Sequence, residues 1–347
     1  MTKIVMLFFY KLYFLVLEIY PLTKIYINSI IMKAIVLNNA GKAENLEIAE
    51  VDVPKIKDNE VLVKVSSIGI NPIDIKGRAT EGVLSFLLGE KRPAILGWDI
   101  SGTVTETGKE VTDLVIGDDV YGMVNFPGLG NAYAEFVAAP ATHIVKKSSH
   151  ISHVDAAASS MAALTAWQLL VIHGKVKKGD RVLIHAAAGG VGHFAVQIAK
   201  HLGAHVIGTS SASNKDFILD LGADEHIDYT AKPFDQDLEP VDFVIDTVGK
   251  DTLTRSIDVV KPGGSIATIV TAQFSESDLQ KAKDNDVNLI NFFVRSNPEA
   301  IKSVAELVES GVIKPHIFET FDFQDIVQAH LQIETGKTVG KIVITVN

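Results

Sequence analysis

From Met32 to about His150, apolar and polar positions alternate in short runs with a period near two, the spacing of strands with one buried face. The runs are Lys33–Leu37, Glu60–Ile70, Ser101–Gly108 and Gly117–Val124, and Gly, Asn and Pro punctuate them. That pattern predicts an all-β, barrel-like domain. From about Val154 to Asn291 the rhythm changes. Continuous apolar runs at Arg181–His185, His205–Ser210, Phe243–Gly249 and Ser265–Val270 now alternate with helical stretches. Repeated strand–helix alternation predicts an α/β domain built on a doubly wound parallel sheet. Residues 296–347 hold one expected helix, Pro298–Ser310, and short strands ending in KIVITV. The expected division is therefore a β-rich domain over 32–153, completed by 296–347, and a dinucleotide-type domain over 154–295.

Residues 1–31 keep to neither rhythm. They are almost all aliphatic and aromatic, interrupted by Lys3, Lys11, Glu18 and Lys24 and broken by Pro21. The longest uncharged stretches, Ile4–Tyr10 and Leu12–Leu17, fall short of the ~20 apolar residues that cross a bilayer. No small-residue cleavage site comes after them, as a signal peptide would require. Three readings stand: an upstream frame with translation starting at Met32, a membrane-surface anchor, or an extra packed helix. MKAIVL from Met32, which reads as the opening strand of a compact domain, favours the first.

A chain of 347 residues suits two domains of ~100–200 residues each. Its formal charge, 32 − 42 = −10, argues against a general nucleic-acid binder, which gains affinity by neutralising phosphates. It contains no cysteine, which excludes disulfides, Cys-ligated zinc or iron–sulfur sites and a thiol nucleophile.

The strongest motif is RVLIHAAAGGVGHFAVQIAKHLGAHVIGTS, Arg181–Ser210. An apolar strand runs into a glycine loop, an amphipathic helix and a second apolar strand. Ala187 stands at the first glycine of the G-x-G-x-x-G template, while Gly189 and Gly192 are kept. Gly189 lets the backbone approach a pyrophosphate, Gly192 lets helix and strand pack closely, and the helix N-terminus offers N–H groups to phosphate. Gly190 and Val191 lie between them. An NAD site places an acid at the end of the second strand. Here Thr209-Ser210-Ser211-Ala212-Ser213-Asn214-Lys215 stands instead, and no carboxylate comes before Asp216. Hydroxyls with Lys215 suit a 2′-phosphate, so NADPH is the expected cofactor.

The glycine loop, with MAALTAWQLL (Met161–Leu170), GINPIDIKGR (Gly69–Arg78) and LGWDISGTV (Leu96–Val104), resembles the medium-chain dehydrogenase/reductase superfamily over residues 32–347. It is most similar to the zinc-free quinone and enone reductases carrying N-P-x-D-x-K. The resemblance implies a Rossmann cofactor domain beside a mostly β, GroES-like catalytic domain. Zinc members place a Cys at Asn71 and a His-Glu pair at Trp98-Asp99. Trp98 cannot ligate and Asn71 is a poor ligand, so no metal is expected. His150, His153, His185, His193, His201 and His205 are read as surface or packed residues.

Carried over residue by residue, the resemblance implies that Asn71 and Lys76 lie near the nicotinamide and its ribose phosphates, and that Thr165 lies near the nicotinamide ribose or diphosphate. Gly190 and Val191 hold the diphosphate, and Ser210, Ser211, Lys215 and Tyr229 hold the 2′-phosphate. Val248, Ile269 and Val270 pack on the cofactor. Phe292, Phe293 and Val294 present backbone to the carboxamide, and Gly340 and Lys341 close the site. Asp99 is expected to bond backbone.

The expected reaction is hydride transfer from NADPH to an electron-poor acceptor, a quinone or an α,β-unsaturated ketone or aldehyde. Negative charge growing on the acceptor oxygen needs donors, and Asn71 and the nicotinamide ribose hydroxyl are the candidates. Tyr121 and Tyr133, in the segment expected to face the cleft, are the candidate proton donors, with a core position for either and protonation by water as the alternatives. An enoyl-thioester reductase and a non-catalytic NADPH-binding protein are the alternatives. A cytoplasmic homodimer acting on small molecules, with neither nucleic-acid nor membrane contact, is the accompanying expectation.

Overall fold

The computed structural model describes residues 30–347. The three readings of residues 1–31 therefore fall almost wholly outside the described residues. The first half of the chain holds eight strands: β1 (Ile31–Leu37), β2 (Leu46–Asp52), β3 (Glu60–Ile70), β4 (Ala94–Ile95), β5 (Asp99–Thr107), β6 (Asp119–Met123), β7 (Phe136–Pro140) and β8 (Ile144–Lys146). Six more come next: β9 (Arg181–Ile184), β10 (His205–Ser210), β11 (Glu225–Asp228), β12 (Val241–Asp246), β13 (Val260–Thr268) and β14 (Asn288–Asn291). The chain ends with β15 (Ile317–Asp322) and β16 (Lys341–Thr345).

Strands β9–β14 form one parallel sheet in the order β11-β10-β9-β12-β13-β14. This is the doubly wound dinucleotide-binding order, whose direction reverses between β9 and β12. Apolar continuity along these strands has a direct cause. In β9, Val182 and Ile184 pack into one hydrophobic cluster and Leu183 into another on the opposite face. In β12, Phe243 and Ile245 join the first and Val244 the second. Both faces are covered, so Val182–Ile184 and Phe243–Ile245 are apolar without interruption. Each such side chain contributes about 1.5–3 kcal/mol of burial free energy.

The seven-stranded sheet runs β15-β16-β3-β5-β6-β8, with β7 also pairing β3, and β2-β1-β4 form a small separate sheet. The C-terminal strands return to the first sheet, where β16 pairs antiparallel with β3 and places Ile342 opposite Ile70. One backbone bond then ties the halves together: Gly340 N donates to Ala188 O in the glycine loop at 2.8 Å. The helix Glu81–Leu88 is an element the period-two pattern did not reveal. Among the described residues no helix is long and apolar enough to cross a membrane.

Candidate active site

A cavity of about 460 Å³ opens where the two sheets meet. One wall is built from residues just past the carboxyl ends of the parallel strands: Ala186 and the glycine loop after β9, Thr247 after β12, Ile269 and Val270 after β13, and Phe292, Phe293 and Val294 after β14. The crevice outside the strand ends at the switch point is where ligands bind in such sheets. The facing wall comes from Asn71 and Lys76 after β3, and from Gly340 and Lys341 at the start of β16. Thr165, from the helix Met161–Trp167, closes the back.

The glycine loop fits a dinucleotide. A Cβ on Gly192 would come within 2.3 Å of Ala186 O, so only glycine allows this helix to start so close to the strand. A Cβ on Gly190 would stand 3.5 Å from both Gly340 O and Lys341 Cδ, in the gap a cofactor would enter. Among the described residues no side chain caps the helix Gly192–His201, which leaves its N-terminus for an anion.

The outer residues are less uniform. Lys215 is exposed at the start of its helix, and Tyr229 is 59% exposed. Ser211 is half-buried, its Oγ 3.0 Å from Ser213 Oγ. Ser210 turns inward: its hydroxyl donates to Ser211 O and lies 2.9 Å from His226 Nε2. Asp228, the register partner of Ser210, is occupied by Thr230, accepting from its backbone N at 2.9 Å and its hydroxyl at 2.7 Å. Val248 is half exposed beside Thr247, outside the cavity lining.

Two expectations are corrected. Tyr121 and Tyr133 were expected to face the cleft, and neither lines the cavity. Tyr121 lies in the middle of β6, flanked by β5 and β8, and its ring is buried in the sheet core with the phenol pushed well up by burial. Tyr133 packs on Gly97, where a Cβ would meet its ring at 2.3 Å, and its hydroxyl lies 3.0 Å from His330 Nε2. Both are core aromatics.

Behind the facing wall lies a buried polar group. Asp74 Oδ2 accepts from Asn71 N at 2.6 Å. Asp99 Oδ1 accepts from Met161 N at 2.9 Å, and its Oδ2 accepts from Asn71 Nδ2 at 2.9 Å. Lys341 Nζ donates to Ile70 O at 2.9 Å and Asn71 Oδ1 at 2.5 Å. Burial pushes Asp74 up to about 8 and Asp99 to about 6, against the pull of Lys341 on both. Burial also lowers the Lys341 amine. Trp98 Nε1 donates to Gly128 O at 2.7 Å, and its ring meets Phe126, a cavity residue, edge to face at 5.0 Å. Phe126, Met161, Thr247 and Thr338 line the cavity without having been singled out from the sequence. Isolated in loops or inside an alanine-rich helix, they carry no spacing that marks them. Thr338 Oγ1 is buried without a hydrogen-bond partner among the described residues.

A family model described as an alcohol dehydrogenase GroES-like domain matches residues 57–149, and one described as a zinc-binding dehydrogenase matches residues 221–344. A mitochondrial NAD(P)H oxidoreductase of Danio rerio is 32% identical over 356 residues, spanning 91% of this chain and 92% of the relative. The chain belongs to the medium-chain dehydrogenase/reductase superfamily. Within the superfamily it is similar to the 2-methylene-furan-3-one reductase of Solanum lycopersicum, 33% identical over 90% of this chain and 79% of that one. The solved structure of a quinone oxidoreductase from Coxiella burnetii matches at 37% identity and a TM-score of 0.86, covering 92% of this chain and all of that one. Asn71, Trp98 and Asp99 make this chain a zinc-free reductase of the superfamily. Among the described residues no three His, Cys, Asp or Glu side chains are grouped to hold a metal ion.

Proposed function

We propose that this protein reduces a quinone or an α,β-unsaturated carbonyl with NADPH. One observation carries the proposal: the glycine loop, the ends of the parallel strands and the Asn71–Lys341 wall converge on one largely apolar cavity. NADPH, when bound, supplies the hydride. The chain's own residues do the rest. The glycine loop and the N-terminus of Gly192–His201 hold the pyrophosphate. Lys215, with Ser211 and Tyr229, receives the 2′-phosphate. Backbone at Phe292–Val294 takes the carboxamide, while Ile269 and Val270 pack on the nicotinamide side. Apolar walls at Met161, Phe126 and Phe293 exclude water, which strengthens every hydrogen bond to the reacting oxygen. The two-domain division, 32–153 with 296–347 and 154–295, belongs to this reading. It is supported by β15 and β16 joining the first sheet and by the separate parallel sheet.

Following NADPH absorbance with quinones, enones and alkenals tests the proposal. Turnover with at least one conjugated class is expected. Tight NADPH binding with no turnover on any of them would assign the fold a non-catalytic role.

A further inference from the structure

Asn71 lies between a cation and a carboxylate, and that fixes which way its amide points. Lys341 Nζ donates to Asn71 Oδ1 at 2.5 Å, and Asn71 Nδ2 donates to Asp99 Oδ2 at 2.9 Å. The flipped amide would set NH2 against an ammonium and oxygen against a carboxylate, two mismatches at once. Neither partner is free to move. Lys341 Nζ also donates to Ile70 O at 2.9 Å, and Asp99 Oδ1 accepts from Met161 N at 2.9 Å. Their side chains are 3% and 0% exposed, and Nζ stands 3.9 Å from Asp99 Oδ2, so the amide bridges the two charges. Pairing of β16 with β3, Ile342 opposite Ile70, sets the distance between Lys341 and Asn71.

An amide has two N–H donors, and one here is spent on Asp99. The other is the only donor left on the Asn71 side chain, and Asn71 lines the cavity. An ammonium on its oxygen and a carboxylate on its first N–H polarise the group along one chain of hydrogen bonds.

We propose that Lys341 and Asp99 are positioning residues that lock and polarise the Asn71 carboxamide, whose remaining N–H is the donor to the acceptor's carbonyl oxygen. The proposal rests on the reading of the protein as a reductase of conjugated carbonyls. In an enone, hydride from NADPH forms the new C–H bond at the β carbon. The C=C π pair becomes the enolate C=C bond, and the carbonyl π pair moves onto oxygen, where the Asn71 N–H meets the charge. A solvent proton then adds at the α carbon. The acceptor gains two electrons and NADPH loses them.

Lys341→Met removes the charge at similar length. It should lower kcat on a fixed enone or quinone by about 30-fold or more and leave the NADPH dissociation constant within about 3-fold of wild type. A merely structural role would not separate the two constants. Unchanged kcat overturns the proposal. So does a rise in the NADPH dissociation constant with kcat restored at saturation, which would make Lys341 a cofactor ligand. A measurement on the wild-type protein stands whether or not the variant folds. With NADPH bound, 4-nitrophenolate should compete with the acceptor at least ~10-fold more tightly than its methyl ether 4-nitroanisole, because only the anion takes a charge-assisted N–H bond. Equal inhibition by the two overturns the proposal. Absence of any turnover on conjugated acceptors, with phenolate still preferred, would instead overturn the functional reading and keep the oriented amide.

Discussion

Gly192 has no room for a side chain, because any Cβ would press into the backbone of Ala186 and Ala187 at 2.3–2.9 Å. Gly192→Val should destabilise the fold by about 3 kcal/mol, the cost of overpacking against atoms that cannot retreat, and abolish NADPH binding. Native-like urea unfolding of this variant would show that the loop relaxes. Beyond the end of β10, Lys215 is exposed, and no acid stands between Thr209 and Lys215 in the sequence. NADPH should bind at least ~10-fold more tightly than NADH, about 1.4 kcal/mol, and Lys215→Glu should reverse the order. Fluorescence titrations giving equal affinities for the two would defeat this. The glycine loop was legible because it depends on residues close together in sequence. Ser210 was read less well: the serine-rich spacing showed hydroxyls, yet His226, sixteen positions on, decides where one of them points.

The helix Gly192–His201 couples the two halves of the molecule. Gln197 on this helix exchanges two hydrogen bonds with the backbone of Lys314, at 2.9 and 3.0 Å. His193 is buried, with Nδ1–H donating to Gly189 O at 2.9 Å and Nε2 accepting from His316 N at 3.3 Å. The imidazole must be neutral to do both, and burial, with help from the Lys341 and His316 charges, pushes it down to about 4. An unfolded histidine titrates near 6.5. The unfolded chain therefore binds the proton first as pH falls, so the stability His193 lends is present above pH 6.5 and is lost between 6.5 and 4, to a total of about 3 kcal/mol. Urea unfolding of wild type and His193→Gln across that range should show the difference between them shrinking towards low pH; parallel curves would show that His193 does not titrate with folding. Period and composition alone placed this histidine among packed or surface residues, since nothing in helical spacing shows which loop lies against a helix. Tyr121 failed for a related reason: alternation in a strand says that one face is buried without saying whether that face is core or cleft. The pairing of Lys341 with Asn71, set by the register of β16 on β3 across 270 positions, leaves no local trace.

At the scale of the whole molecule, the cavity exists because the first sheet recruits the end of the chain. Gly340 bonds to the glycine loop through Ala188, and the next residue, Lys341, holds Asn71. The parallel sheet contributes the place for a hydride donor, and the seven-stranded sheet contributes an oriented amide and a buried ammonium on the opposite wall. The described residues offer no three-ligand metal site to polarise a carbonyl, and both nearby tyrosines are locked in the core. Hydrogen bonds are then the means of holding negative charge, and that selects the acceptor. Conjugation in a quinone or enone delivers the incoming electron pair to an oxygen already stabilised by delocalisation, which one or two donors can hold. Oxidation of a saturated alcohol begins by removing a proton from an oxygen with a far higher pKa, and among the described residues no carboxylate or imidazole lines the cavity. Steady-state rates should therefore be measurable for NADPH with quinones, small enones or alkenals, and essentially nil for ethanol or propanol with NADP⁺. Asn71→Ala should lower kcat by about 100-fold with a much smaller change in NADPH affinity, as expected for losing a donor used mainly in the transition state. Brisk oxidation of a simple alcohol would mean that the cavity activates oxygen by a group other than this amide, and the reading of the Asn71 wall would fall with it.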